Sequence, residues 1–399
     1  MLYEQIKSFA PCFIYDEQGI KNSCRELKMN LPGFEFLYSI KANPFKPVIK
    51  SIAQEGFGSD SASYAEVEKS LSCGINRENI YFSSPGKTER DIRNAFGKCI
   101  LIADSLNELK LIQRVALENE ITAKIGLRIN PGFSMNGVAS SSKFGIDIEH
   151  AYELKNVLNY CPNVKIIGLH VHLMSQILNS EIIAEYYQNV MSMALKLKED
   201  FNFDIEFVNF GSGIGALYDK TAEKPFNLKR LHERTRDVIK INETLKARLL
   251  IETGRYITCN AGKYYTPVID KKISHGTTYL IVLNAMNGFL RPAIANIINK
   301  FQYTSRFQSM EPLFTCKNEF EVKVLNNSAE QEKVNIVGNL CTALDTIAEQ
   351  ITVNKAEIGD IIEISNAGSY GFSLSPQFFG SHEIPCQFLK NEDGTLIEG

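Results

Sequence analysis

Between about residue 36 and residue 252, short apolar runs alternate with longer amphipathic stretches, and this alternation restricts the fold more than any other feature of the chain. Apolar runs bounded by turn residues read as buried strands, and apolar residues spaced three and four apart read as helices. The strand expectations are Phe36–Ile40, Phe57–Asp60, Ile80–Phe82, Ile100–Ala103, Ala123–Ile129, Ile166–Val171, Asp204–Asn209 and Arg248–Ile251. Helical stretches such as Ala65–Leu71, Leu106–Leu117 and Ile182–Lys198 lie between them. Eight strands, each after the first preceded by a helical connection, match an α/β fold of the (β/α)8 barrel type. A doubly wound open sheet is the competing architecture.

The barrel makes a demand of its own: its chemistry belongs at the C-terminal ends of the strands. Lys41 follows the first strand, Asp60 ends the second and Arg128 lies at the end of the fifth. His172 comes just after the sixth, Gly211–Gly215 after the seventh and Glu252 after the eighth. That distribution favours the barrel. Beyond about residue 265 the pattern changes to β-rich runs such as YYTPVIDKKI, TTYLIVLNA, FEVKVL, EKVNIVG and DIIEIS, which predict a C-terminal all-β domain. The early run Pro11–Gln18 also reads as a strand that pairs with it. The expected division is 1–24 for an N-terminal strand segment joining the β domain, 25–265 for the barrel and 266–399 for the β domain.

A chain of 399 residues is too long for one ordinary core, which agrees with two domains. Its net charge of −3 comes from interleaved acids and bases with no basic stripe, so nucleic acid is not an expected partner. No apolar run approaches membrane-spanning length, and the first twenty residues lack the order of a signal peptide. The nine cysteines are scattered without a CxxC pair, which argues for reduced thiols in a cytoplasm rather than disulfides or a zinc cluster.

Lys41 lies in FLYSIKANP (Phe36–Pro44). A lysine at the edge of an apolar strand is desolvated, which lowers its pKa and frees its amine to form a Schiff base. The alternative is a surface lysine whose stem covers strand atoms. In FGSGIG (Phe210–Gly215), closely spaced glycines let backbone N–H groups approach an anion, although an ordinary tight turn is equally open. The spacing is GxGxG rather than GxGxxG, which disfavours a dinucleotide. HVHLMSQ places His170 and His172 on one side of a strand. A metal pair would need further ligands, and the other histidines, His150, His232, His275 and His382, offer no ligand context, so no metal is expected. His172 suits stacking on a ring cofactor, and His170 reads as a hydrogen-bonded core residue. In IETGR, Glu252 could hold a proton on a pyridine nitrogen and Arg255 could bind carboxylate or phosphate, against a structural ion pair. GNLCTALD and NAGSYGF could be turns; their interest is Cys341 as a proton donor and Tyr370 as a phosphate ligand.

Taken in order, these motifs resemble the fold-type III pyridoxal-phosphate decarboxylases of diaminopimelate, ornithine and related amino acids, with their alanine racemase-like barrel. The matching pieces are YSIKANP, GSDSASYAE, LRINPG, SSKFGI, GLHVHLMSQ, GSGIG, ETGR, FLRPA, GNLCTALD and NAGSYGF, spread over essentially the whole chain. The resemblance implies pyridoxal 5'-phosphate as cofactor and Lys41 as its Schiff-base lysine. His172 would stack on the pyridine ring, Glu252 would keep the ring nitrogen protonated and Asp60 would support the ring side. Ser175, Gly211, Ser212, Gly213 and Gly215 would face the cofactor, with the glycine loop, Arg255 and Tyr370 at its phosphate. An amino-acid substrate would meet Arg255, Arg291, Ala295, Thr342 and Asp345. Cys341 would return a proton to the α-carbon. Cys341 and Asp345 would come from a neighbouring subunit, so the resemblance implies a head-to-tail homodimer with shared sites.

Three positions depart from the diaminopimelate pattern. Thr342 follows the motif cysteine where those enzymes usually carry glutamate, and Ala295 stands where their RPxLY segment has tyrosine. Met174 replaces the glycine of HIGSQ. A pocket that loses polar contacts binds that substrate poorly. The expected substrate is therefore a bulkier or N-conjugated diamino acid, such as a siderophore precursor, with Arg291 meeting a carboxylate. The alternatives are a diaminopimelate decarboxylase with a rearranged pocket, a racemase on the same barrel, a metal-dependent barrel hydrolase, and an inactive relative acting by binding. The last predicts loss of Lys41, Glu252 or the cysteine, and all three are retained.

Overall fold

In the computed structural model, which describes residues 2–135, 142–220, 223–300 and 320–399, the alternating segments close on themselves. Strand β1 (Cys12–Asp16) stands outside the ring. The next strands are β2 (Glu35–Ser39), β3 (Gly58–Ser61), β4 (Ile80–Phe82), β5 (Ile100–Ala103), β6 (Ala123–Asn130) and the two-residue β7 (Ile146–Asp147). Then come β8 (Val164–His170), β9 (Phe207–Asn209) and β10 (Arg248–Thr253). The order is β5-β4-β3-β2-β10-β9-β8-β6 with β7 beside β6, and a β5–β6 pairing seals the barrel. Every pair is parallel. The open-sheet alternative falls because it would leave β5 and β6 unpaired.

Side chains that alternate inward fill the ring. Leu37, Tyr81, Ile102, Ile167, Phe207 and Leu250 form one buried cluster, each from a different strand or strand edge. Phe207 needs unusual room. A Cβ at Gly168 would lie 2.3 Å from its ring and one at Gly126 2.8 Å from it, so the two glycines admit the phenyl group. Polar caps start three of the helices that follow the strands. Ser63 accepts from Glu66 N, Thr88 and Asp91 form a reciprocal capping box, and Ser105 accepts from Glu108 N. Helices Tyr64–Ser72, Leu106–Glu118 and Ser180–Phe201 occupy the expected amphipathic stretches.

The second sheet contains β11 (Gly262–Ser274), β12 (Thr277–Val282), β13 (Val322–Val324), β14 (Gln331–Gly338), β15 (Thr346–Asn354), β16 (Ile361–Ile364), β17 (Cys386–Lys390) and β18 (Leu396–Glu398). Its main path is β15-β14-β12-β11-β1-β17-β18, with β16 pairing both β11 and β13. Strand β1 thus lies between β11 and β17. The region is mostly strand, as expected, with an α-helix added. Helix Leu290–Lys300 lies in it, with Asn296 Nδ2 donating to the carbonyls of Thr346 and Ile347. Pro292 is tolerated there because it falls in the first turn, where its missing N–H would have no intrahelical acceptor. Among the described residues no helix is long and apolar enough to cross a membrane.

Candidate active site

Lys41 sits in the single 3-10 turn Ile40–Ala42 after β2. Buried Ile40 and Ala42 anchor the turn, while the Lys41 side chain keeps 47 % of its accessibility. Its Nζ lies 3.4 Å from Asp60 Oδ2 on β3, and Asp60 is only 1 % exposed. The other Asp60 oxygen accepts from Ser83 Oγ, just past β4. The expectation that desolvation lowers the Lys41 pKa is corrected here. The Asp60 carboxylate raises it above the ordinary lysine value, outweighing the opposing effect of desolvation.

Across the mouth, β8, β9 and β10 are neighbours, and His170 is in register with Asn209. Glu252, on β10, is 2 % exposed, and its Oε1 accepts from Asn209 Nδ2 at 2.9 Å. His170 Nε2 lies 3.1 Å from the same oxygen. Neither ring nitrogen of His170 makes an aligned hydrogen bond, which corrects its reading as a hydrogen-bonded core residue. Burial holds its pKa well below the usual histidine range.

His172 Nδ1 accepts from Ser212 N at 3.0 Å, and its Nε2 lies 3.4 Å from Ser175 Oγ. Burial pushes the His172 pKa down to about 3, with the Glu252 charge opposing the shift. The ring is therefore neutral, and accepting at Nδ1 leaves its proton on Nε2. Gly211 has φ +67°, and a Cβ there would lie 2.5 Å from Val171 O and 2.8 Å from His172 Nδ1. Only glycine fits that turn. Among the described residues, the N–H groups of Gly213 and Ile214 have no hydrogen-bond acceptor. Gly215 N is used by Ile177 O.

A second cluster surrounds Tyr218. Arg255 Nη1 and Arg291 Nη1 both donate to its hydroxyl, at 3.1 and 3.2 Å, and Arg291 also donates to Ser369 O. The Arg255 guanidinium lies 5.0 Å from the Tyr370 ring centre. Tyr370 N donates to Ala42 O, one residue past Lys41, which ties this cluster to the lysine turn.

Cys341, Thr342 and Asp345 lie in the β14–β15 loop. Cys341 is an exposed free thiol. Asp345 is 2 % exposed, and its oxygens accept from Met286 N at 2.7 Å and Leu340 N at 2.8 Å. Both oxygens accept from backbone N–H groups, so the carboxylate orders the loop that carries Cys341 and Thr342. Among the described residues, no hydrogen bond or ion pair joins this loop to the Lys41–Asp60 or Glu252 groups. Ala295 and Met174 are both half-buried. Ser141, the first residue of SSKFGI, and Cys316 lie outside the described residues. The described residues contain no group of three His, Cys, Asp or Glu placed to hold a metal ion.

Three contributors escaped the sequence reading. Asn209 carried a weak signal, as the polar residue near the end of an apolar strand just before the glycines. Tyr218 and Ser83 carried none.

The family model described as pyridoxal-dependent decarboxylase, pyridoxal binding domain, matches residues 17–259. The chain belongs to the pyridoxal-dependent decarboxylase family. This decarboxylase is 29 % identical to the L-glutamyl-[BtrI acyl-carrier protein] decarboxylase of Niallia circulans, over 95 % of this chain and 88 % of that protein. It is 27 % identical to the 2-[(L-alanin-3-ylcarbamoyl)methyl]-2-hydroxybutanedioate decarboxylase of Staphylococcus aureus, over 96 % and 95 %. Among solved structures, the diaminopimelate decarboxylase of Helicobacter pylori complexed with L-lysine superposes with a TM-score of 0.83 at 26 % identity, covering 99 % of this chain and 95 % of that one.

Proposed function

We propose that this decarboxylase binds pyridoxal 5'-phosphate at the Lys41–Glu252 mouth and acts on a bulky or N-conjugated diamino acid, for instance a siderophore precursor, rather than on free diaminopimelate. The observation that carries the reading is the buried Glu252 carboxylate at the same barrel mouth as the accessible Lys41 amine, whose proton affinity it helps to raise. The residues present fit the cofactor. Gly211 lets the loop turn tightly against Val171 and His172, and the N–H groups of Gly213 and Ile214 beyond it are available to a phosphate. Arg255, Tyr370, Ser175 and Ser212 complete its surroundings.

Lys41 Nζ would hold the cofactor covalently, and Asp60 would take part in moving the proton that Nζ must give up. The neutral, flat His172 ring would cover one face of the cofactor. Glu252 would keep a proton on the ring nitrogen. Bound there, pyridoxal 5'-phosphate supplies the sink for the electron pair left on the α-carbon when carbon dioxide departs. Cys341 Sγ would then deliver a proton to that carbon. Among the described residues its loop makes no polar contact with the Lys41–Asp60 or Glu252 groups of its own chain, which supports a head-to-tail homodimer in which the partner supplies it.

Substrate class rests on Thr342 and Ala295. Both remove polar recognition of a free distal amino acid, and the alanine adds space, while Arg291 would meet a carboxylate. The names of the two curated relatives support this, since one acts on a glutamyl group carried by a protein and the other on an alanine bearing a substituted carbamoyl group. A diaminopimelate decarboxylase is the second reading, favoured by the superposition on the Helicobacter pylori enzyme. The free thiols support a cytoplasmic setting.

The test is carbon dioxide release from cofactor-loaded protein supplied with free and N-conjugated diamino acids. Release from a conjugate with little from meso-diaminopimelate is expected. A strong preference for meso-diaminopimelate would overturn the substrate class.

A further inference from the structure

We infer that Asn209 is a positioning residue that locks the carboxylate end of the site to its anion-binding loop. The inference rests on the cofactor reading above and adds a residue to which nothing else in the site gives a role. Asn209 ends β9 and is fully buried. Its Nδ2 donates to Glu252 Oε1 at 2.9 Å, and its Oδ1 accepts from Gly211 N at 2.8 Å. The amide has one workable orientation. Turned over, it would set an oxygen against the carboxylate and an NH2 group against an N–H, two repulsive contacts in place of two bonds.

The neighbouring bonds extend this link. Glu252 N donates to Gly211 O at 2.9 Å, and Ser212 N donates to His172 Nδ1 at 3.0 Å. The carboxylate, the first glycine and the stacking histidine therefore belong to one hydrogen-bonded unit with Asn209 at its centre. His170 cannot replace Asn209 as it stands, because its Nε2, though 3.1 Å from Oε1, is not aligned to donate. It does provide an alternative for a carboxylate set free. Without Asn209, Glu252 would turn onto His170 and away from the ring nitrogen it serves. The other ionisable groups facing Glu252 are Lys41 after β2, His172 after β8 and Tyr186 on helix Ser180–Phe201.

Pyridoxine 5'-phosphate is a suitable probe, because it carries the ring and phosphate but has no aldehyde to bond Lys41. Its affinity and the pH at which its bound ring nitrogen loses a proton would be read by absorbance and fluorescence, alongside thermal midpoints. For full-length Asn209→Ala, affinity is expected to fall at least about tenfold and the ring proton to be lost about one pH unit lower than in the wild type. Asn209→Asp keeps an acceptor for Gly211 N, so its affinity should stay closer to wild type. Its carboxylate would share a proton with Glu252, drawing charge away from the ring and again lowering the ring titration. If both variants bind the probe and titrate as the wild type does, and differ only in thermal midpoint, Asn209 is merely structural and the inference fails. If Asn209→Ala does not fold, the Asn209→Asp titration alone decides between these outcomes. No binding of the probe to the wild-type chain would overturn the cofactor reading itself, and this inference with it.

Discussion

Lys41 and Asp60 pair an accessible amine with a buried carboxylate at the barrel mouth, and this has a chemical consequence. Because the carboxylate holds the ammonium form, Asp60→Asn should make Lys41 of the cofactor-free protein reactive at lower pH, by about one unit. Amine-specific labelling followed by peptide mapping would measure it, and an unchanged pH dependence would exclude Asp60 as the controlling charge. His172 gives a second prediction of opposite sign. Its folded-state pKa of about 3 lies below the ordinary histidine value of 6.5, so its contribution to stability is fully present above pH 6.5. As pH falls from 6.5 towards 3, the unfolded chain takes up the proton first and that contribution is lost. His172→Gln should therefore lose less stability than wild type when urea midpoints are compared at about pH 7.5 and about pH 5.

At the scale of elements, Gly168 and Phe207 test how the barrel is filled. Gly168→Ala would drive a methyl group into the phenyl ring and should cost about 1–3 kcal/mol, measured by urea unfolding. Phe207→Leu in the same chain should recover part of the loss. The staves were legible in the sequence because each is a short apolar run cut off by turn residues, as in Ile100–Ala103. The site was legible where polar residues interrupt those runs at their ends, as at Lys41, Asp60 and Glu252. Strand β15, TIAEQITVN, was not singled out because exposed polar residues occupy its middle. Helix Leu290–Lys300 was hidden because LRPAIANII contains a proline and reads as another apolar run. The backbone contacts of Asp345 were not legible, because what a carboxylate accepts from depends on a loop path that spacing alone does not encode. The Tyr218 contacts were invisible for the same reason, since Arg255 and Arg291 reach it from distant parts of the chain.

For the whole molecule, a dimer that shares its sites has a distinctive signature. Lys41→Ala and Cys341→Ala should each be nearly inactive, yet mixing equal amounts after subunit exchange should restore about a quarter of wild-type carbon dioxide release. Half of the pairs would then be mixed, and each would carry one site with both groups intact. No recovery under verified exchange would place each site within a single chain. The position of β1 bears on how such a molecule is made. Cys12–Asp16 pairs with β11 on one side and β17 on the other, and Tyr15 OH donates to Gln387 Oε1, 372 residues further along. During synthesis this segment emerges long before β17 and must wait for it. Until β17 is out of the ribosome, a strand with apolar residues on both faces has an unsatisfied edge. Barrel closure can precede that moment, but completion of the second sheet cannot. A ribosome stalled before Cys386 should therefore hold a nascent chain whose β1 segment is still open to proteolysis, and emergence of β17 is what stitches these distant segments together.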